Sequence, residues 1–265
     1  TMKVILVTGA NRGLGLEVSK QLLDFKNVVI LGCRNPESVE AIVTENQNAH
    51  AIKLDVTNEQ DIIKSVVFIK SKFGKLDVLI NNAGIGENID SKSSRSKLKV
   101  FVNQNSILNK TYNSMKPIIS KVFNKKIDDS ALSVSIDKAK LIMETNLFGA
   151  WRMCQAYADL LSLGEKPQII NISSGMGKQS NLTGYLPAYS LSKAALNSLT
   201  IMFANELKDV KINVNAVCPG WVKTDMGGVN APLSVNKGAD TIVWLAQENA
   251  GITGKFFTKR QVQDW

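Results

Sequence analysis

The 265-residue sequence predicts an α/β protein: one domain built on a doubly wound parallel sheet of about seven strands, with helices on both faces. Three observations carry this. Short β-branched apolar runs recur along the chain, beginning with Lys3-Val4-Ile5-Leu6-Val7-Thr8. Each is followed by a stretch whose apolar residues repeat at helical spacing. The first run ends in Gly9-Ala10-Asn11-Arg12-Gly13-Leu14-Gly15, a glycine turn between a strand and a helix. Strands alternating with helices join by right-handed crossovers, and strands buried on both faces read as unbroken apolar runs, so the sheet is parallel and covered on both sides.

After the glycines, Leu16, Val18, Leu22 and Leu23 recur at helical intervals. A turn so placed lets backbone approach a pyrophosphate and aims helix N-terminal amides at its charge. Gly9, Asn11, Arg12, Gly13, Leu14 and Gly15 are therefore candidate cofactor contacts, although such a turn can also be purely structural. A second strand, Val28 to Cys33, ends about twenty residues past the glycines, where an acid would hold the ribose hydroxyls of NAD. Arg34 stands there instead. With Arg12 it offers guanidinium groups suited to a 2′-phosphate, which favours NADP(H); the alternative is two solvated surface arginines.

Pro36 to Asn46 reads as a helix, and Ala51 to Leu54 as a third strand ending at Asp55 and Val56, where the Asp side chain is placed to take an adenine amino group. Asn58 caps a helix that reaches Phe73 and stops at Gly74. Leu76 to Ile80 is a fourth strand leading to Asn82, Ala83 and Gly84, small residues that permit close approach to a ribose.

From residue 86 to 135 the rhythm breaks. Nine Lys and Arg stand against four Asp and Glu there, yet Val100, Phe101, Ile107, Leu108, Ile118, Ile119 and Val122 are too apolar for a simple disordered linker. The segment is expected to be a basic flap inserted into the domain, with one or two short helices and with Phe101, Tyr112 and Phe123 contacting a substrate cleft.

A long helix is expected from about Ile136 to Leu163. It holds Asn146 and Gly149 in its middle, poor choices for helix stability alone, and so suggests a polar task for Asn146. Gln168 to Ile172 is a central strand ending at Ser173-Ser174-Gly175, which puts hydroxyls at the carboxyl edge of the sheet, where open α/β sheets bind ligands.

The following helix carries Tyr189 and Lys193 at i and i+4, on one face. A phenol titrates near ~10 and needs its phenolate stabilised to move protons at neutral pH. At ~5 Å and an effective dielectric of ~20 an ammonium supplies roughly 3 kcal/mol, on the order of two pKa units. Taken alone, the pair also describes an ordinary amphipathic face. Lys211 to Val217 is a sixth strand running into Pro219-Gly220-Trp221-Val222-Lys223-Thr224, whose turn brings Val222 and Thr224 toward a cofactor amide. Ser234 to Gln247 is a last helix and Lys255 to Thr258 a last strand.

The net charge of +9 raises nucleic acid or an anionic membrane as partners, but more than half of the excess lies in the 86–135 segment, and neither partner is expected. No apolar run approaches the ~20 residues that cross a bilayer. The chain runs straight into Lys3–Val7 without a secretory signal pattern. Cys33, Cys154 and Cys218 are dispersed and odd in number, which suggests neither a disulfide framework nor a metal site and fits a reducing, cytoplasmic setting. The single histidine, His50, reads as a surface or packed residue, so neither a histidine triad nor a zinc site is expected.

Thr8-Gly9-x-x-x-Gly13-x-Gly15, Asn81-Asn82-Ala83-Gly84, Asn146, Ser174, Tyr189-x-x-x-Lys193 and Pro219-Gly220 follow one another in the order of the short-chain dehydrogenase/reductase family, which the chain resembles over essentially all its length outside the inserted segment. Within the family it is similar to the NADPH-dependent carbonyl reductases and to plant ketone reductases. The resemblance implies a Rossmann fold, NADP(H) as cofactor and a ketone or aldehyde as substrate. It implies that Tyr189 protonates the carbonyl oxygen while nicotinamide delivers hydride, and that Lys193 lowers the tyrosine pKa and binds the nicotinamide ribose. It further implies that Ser174 hydrogen-bonds the substrate oxygen and that Asn146 holds a water relaying protons through Lys193. The family pattern selects Ser174 over Ser173; Tyr185, whose i+4 partner is Tyr189 rather than a lysine, is read as a pocket wall, and with Trp221 as a substrate contact. Many members pair through the helices bearing Asn146 and Tyr189, and members with added flaps can be monomeric, so a homodimer or a monomer is expected. A different reading is a protein that senses NADP(H) and engages an acidic partner through the basic insertion; the intact Tyr189–Lys193 pair counts against it.

Overall fold

The computed structural model of the chain describes residues 2–87, 130–248 and 251–265. It contains β1 (Val4–Thr8), α1 (Gly13–Asp24), β2 (Val28–Cys33), a 3₁₀ turn at Pro36–Val39 leading into α2 (Glu40–Glu45), β3 (Ala49–Lys53), α3 (Glu59–Phe73) and β4 (Val78–Asn81). Then come α4 (Ile136–Met143), a π turn at Glu144–Gly149, α5 (Ala150–Ser162), β5 (Gln168–Ile172) and α6 (Pro187–Glu206). The chain closes with β6 (Asn213–Val217), α7 (Val235–Glu248), β7 (Phe256–Thr258) and β8 (Gln261–Gln263).

Eight strands form one sheet in the order β3-β2-β1-β4-β5-β6-β7-β8. All neighbours are parallel except β7 and β8. Strand β8 is the one the sequence does not announce. It is exposed throughout, has a single apolar residue between two glutamines, and folds back on β7 through Lys259 and Arg260, both at positive φ without the Asn-Gly signal of such turns.

Alternate residues of each strand feed two cores. Val4 and Leu6 join Ile30, Leu79 and Ile169 beneath residues of α3, α5 and α6. Ile5 and Val7 join Val29, Ile80 and Ile170 beneath residues of α1 and α7. The strand order reverses between β1 and β4, and the crevice outside their carboxyl ends is where a doubly wound sheet receives a ligand.

Helix α3 has the expected ends: Asn58 Oδ1 accepts from the Asp61 amide at 3.0 Å, and Gly74 lies at φ 71. The expected helix from Pro36 to Asn46 divides into a 3₁₀ turn and a short α-helix. Strand β3 starts two residues early and includes His50, which packs on Phe73 and faces Lys72; burial first, then the Lys72 charge, lowers its pKa. The long helix is continuous through α4 and α5 but widens at Glu144–Gly149, the kind of π turn that recurs at functional sites. Gly149 belongs there because a Cβ would lie 2.6 Å from Val56 Cγ2.

Most of the expected flap, including Phe101, Tyr112 and Phe123, falls outside the described residues. Its described end turns against the loop before α6: Ser130 pairs with Tyr185, and the Ala131 amide donates to Gly184 O at 3.0 Å. Among the described residues no helix is long and apolar enough to cross a membrane, and no group of three His, Cys, Asp or Glu residues could hold a metal ion.

Candidate active site

At the crevice, side chains lace the ends of β1 and β4 together. Thr8 Oγ1 donates to Ile80 O at 3.3 Å and accepts from the amides of Asn82 and Ala83, each at 3.0 Å. Asn82 Nδ2 donates to Thr8 O at 2.9 Å and to Gly9 O at 3.2 Å. The side chain of Asn82 therefore holds the glycine turn in shape, and Thr8 shares that task. Gly15 has no room for more: a Cβ would lie 2.3 Å from Asn82 Nδ2 and 2.5 Å from Gly9 O. Asn11 and Leu14 are half-buried in the same turn.

The two arginines part company. Arg12 Nη1 is 2.6 Å from Asp225 Oδ2, an ion pair exposed on both sides. Such a pair contributes about 0–1 kcal/mol, so a phosphate could displace it at little cost. Arg34 is exposed at the end of β2 and has no ion pair among the described residues. One carboxylate oxygen of Asp55 is engaged by the amide and hydroxyl of Thr57, and Val56 is buried. The loop after β6 reaches over the glycine turn: a Cβ on Gly13 would lie 3.4 Å from Thr224 Cγ2. In that loop Pro219 is half-buried, Gly220 takes φ 83, Val222 is buried and bridges Leu233, and Thr224 Oγ1 accepts from the Gly227 amide.

Helix α6 begins with Pro187 and brings Tyr189 and Lys193 to one face, as their spacing requires. Lys193 Nζ donates to Ile172 O at 2.7 Å and lies 5.7 Å from the centroid of the Tyr189 ring. Ser174 accepts from the Met176 amide at 3.1 Å, capping the 3₁₀ turn Gly175–Gly177, and its hydroxyl is near enough to the Tyr189 phenol to favour the ionised form. Ser173 turns inward, buried, with its hydroxyl on Asn197 Oδ1, which separates the two serines. Asn146 Oδ1 accepts from the Ile85 amide at 2.8 Å; its Nδ2 donates to Ile85 O and to Ser192 Oγ, both at 3.0 Å. A Cβ at Gly84 would be 3.3 Å from Asn146 Oδ1 and 3.7 Å from Lys193 Nζ, so those groups meet at Gly84. Asn146, Ser174, Tyr189 and Lys193 thus line one site.

Burial dominates its electrostatics. It pushes the Tyr189 phenol up to about 12, against the hydrogen bond from Ser174, and pulls the Lys193 ammonium down to about 8. Desolvation disfavours the charged form of each group, and the ammonium also donates a hydrogen bond to Ile172 O. Tyr189 as a residue is half-buried, with only part of its surface reaching solvent. Cys218, whose Sγ accepts from the Gly175 amide at 3.2 Å, also borders the site. The expected substrate contacts Tyr185 and Trp221 are both exposed, the indole donating to Gly227 O at 2.8 Å.

Sequence reasoning missed Ser192, which joins Asn146 to the Tyr189 turn, and Glu87, which accepts from the Tyr189 amide. Neither stands in a motif that signals its partner.

A family model described as short chain dehydrogenase matches residues 3–123 and 122–232. The chain belongs to the short-chain dehydrogenase family. A relative, (+)-neomenthol dehydrogenase of Arabidopsis thaliana, is 32% identical across 100% of this chain and 99% of its own length. Among solved structures, the NADPH-bound carbonyl reductase from chicken fatty liver matches with a TM-score of 0.78 at 24% identity, covering 100% of this chain and 99% of that one. Salutaridine reductase from Papaver somniferum matches at 0.72 and 27%, covering 96% and 99%. The short-chain dehydrogenases are oxidoreductases, and the eight-stranded sheet found here is their Rossmann scaffold.

Proposed function

We propose that the protein is an NADPH-dependent reductase of a ketone or aldehyde, with Tyr189 as the proton donor. The observation that carries this is Lys193 Nζ set 5.7 Å from the Tyr189 ring and bonded to Ile172 O at the carboxyl end of β5, where Asn146 and Gly84 also meet it. The residues fit a dinucleotide: Gly13 and Gly15 let the turn pack against Thr224, Asn82 and the Gly9 carbonyl, holding the backbone at the start of α1 in a tight turn of the kind that cradles a pyrophosphate. The N-terminal amides of α1 would receive the pyrophosphate, and Asp55 and Val56 would hold the adenine. Asn82, Ala83, Gly84 and Lys193 would bind the nicotinamide ribose, and Pro219, Gly220, Val222 and Thr224 the carboxamide. Arg34, with Arg12 released from Asp225, would hold the 2′-phosphate.

Bound nicotinamide supplies the hydride. The chain does the rest. Ser174 and Tyr189 hydrogen-bond the carbonyl oxygen, and Tyr189 gives up its proton as the oxygen becomes basic. With its phenol pushed up to about 12, Tyr189 carries its proton at neutral pH, and its transfer depends on stabilisation of the phenolate as it forms. The Lys193 ammonium faces the phenolate as it forms.

A screen of ketones, aldehydes and quinones followed by NADPH absorbance tests the reading; carbonyl-dependent oxidation is expected for at least one class, and none with any class would refute it. Arg34→Asp is expected to cut the preference for NADPH over NADH about 10- to 100-fold, the loss of a hydrogen bond to a charged group worth ~1.5–3 kcal/mol. An unchanged preference would remove Arg34 from the phosphate site.

The pH profile follows from Lys193. Its folded pKa is depressed, so the working ammonium persists below about 8 and is lost as pH rises through that value. At low substrate, kcat/KM for reduction should be level through neutrality and fall above about 8, with Lys193→Met low throughout and lacking that limb. A wild-type limb that survives in Lys193→Met would assign it elsewhere.

The same reading includes a reducing, cytoplasmic setting, supported by the free thiols of Cys33, Cys154 and Cys218. Pairing through the helices of Asn146 and Tyr189 is supported by a 410 Å³ groove lined by Ile136, Ala139, Met143 and Phe148 and by exposed Leu191 and Met202.

A further inference from the structure

The segment after Gly84 carries a buried acid that the proposed reaction does not consume. Glu87 is 2% exposed. Its Oε1 accepts from the main-chain N–H of Tyr189 at 3.0 Å, across 102 residues of sequence, while its Oε2 is buried without a hydrogen-bond partner among the described residues. The first-turn amides of a helix have no partner within the helix. Helices α3 and α4 satisfy theirs locally, with Asn58 and Ser135. In α6 the preceding residue is Leu186, which lies at φ 46 and offers no side-chain cap. A carboxylate from another element stands in, at the end of the helix where negative charge is favoured.

Glu87 also closes a ring. Ile85 exchanges both main-chain hydrogen bonds with the Asn146 side chain, Asn146 Nδ2 donates to Ser192 Oγ, and Ser192 Oγ donates to Tyr189 O at 2.7 Å. The path from the Tyr189 amide through Glu87, Ile85, Asn146 and Ser192 returns to the Tyr189 carbonyl. A local cap at position 186 would satisfy the same amide without burying an unpaired carboxylate oxygen, so the arrangement is costly as helix capping alone. What it adds is a fixed link between the loop that borders Lys193 at Gly84 and the turn that carries the phenol.

We infer that Glu87 is a positioning residue for carbonyl reduction: with Asn146 and Ser192 it holds both main-chain groups of Tyr189, setting the phenol against Ser174. The inference rests on Tyr189 being the proton donor. Three variants test it together: Glu87→Gln keeps the acceptor, Glu87→Met keeps the length without it, and Tyr189→Phe is the reference. Glu87→Met is expected to lose about tenfold or more in kcat with cofactor KM within about twofold, while Glu87→Gln stays within about threefold of wild type. Amide exchange at Tyr189 should be slow in wild type and in Glu87→Gln and fast in Glu87→Met. Wild-type kcat in Glu87→Met, or equal losses in both Glu87 variants, overturns the inference. If Glu87→Met does not fold, exchange in the wild-type protein decides: an unprotected Tyr189 amide overturns it. Full turnover by Tyr189→Phe refutes the reduction mechanism itself, whatever the Glu87 variants do.

Discussion

Tyr189→Phe is expected to lower carbonyl-dependent NADPH oxidation by about 10²- to 10⁴-fold, the usual worth of a positioned general acid. The change deletes one oxygen. The ring stays beside Lys193, the Tyr189 main chain keeps its bonds to Glu87 and Ser192, and no part of the glycine turn is touched. NADPH affinity, followed by its fluorescence on binding, should therefore move by no more than about twofold, as for a substitution that removes no binding contact. Loss of turnover together with loss of cofactor binding would mean that the phenol holds the nucleotide rather than the carbonyl. Retained turnover would hand the proton to another group, Ser174 or Cys218 being the hydroxyl and thiol at hand.

Gly15→Ala is expected to have the second large effect, on binding and stability rather than on chemistry. Its Cβ would sit 2.3 Å from Asn82 Nδ2 and 2.5 Å from Gly9 O, distances that no rotamer can relieve because one partner is backbone. Asn82 must leave Thr8 O and Gly9 O, and the glycine turn loses its tie to β4. Overpacking of this kind costs about 1–3 kcal/mol, which urea unfolding measures directly. The displaced amides at the start of α1 should weaken NADPH by about tenfold or more, since each 1.4 kcal/mol of lost contact is tenfold in affinity. A variant that unfolds at the wild-type midpoint and binds NADPH normally would show that the turn is not read by the cofactor.

What the sequence made legible was chemistry local to the chain. Strands β1 and β2 announce themselves because each is buried on both faces and reads as an apolar run. Both ends of α3 are visible because Asn58 caps and Gly74 stops within the same short stretch. The Tyr189–Lys193 pair follows from helical spacing, while the choice of Ser174 over Ser173 came from resemblance and acquires its physical reason from Asn197, which turns Ser173 inward. Long-range features left no trace to read. Glu87 meets Tyr189 across 102 positions, Arg12 meets Asp225 from a distant loop, and β8 has no apolar run. The burial that raises the Tyr189 pKa is equally non-local: the spacing of Tyr189 and Lys193 is legible at i and i+4, but desolvation depends on the whole surrounding fold.

The most direct test follows the transferred atom. NADPH carrying deuterium at the transferable position of its nicotinamide ring is incubated with the protein and a ketone it reduces, and the alcohol is examined by mass spectrometry. Wild type is expected to place a single deuterium on the carbinol carbon, and Tyr189→Phe to give no labelled alcohol above background. Unlabelled alcohol from wild type, or equal amounts of labelled alcohol from both proteins, would contradict hydride transfer coupled to a proton from Tyr189.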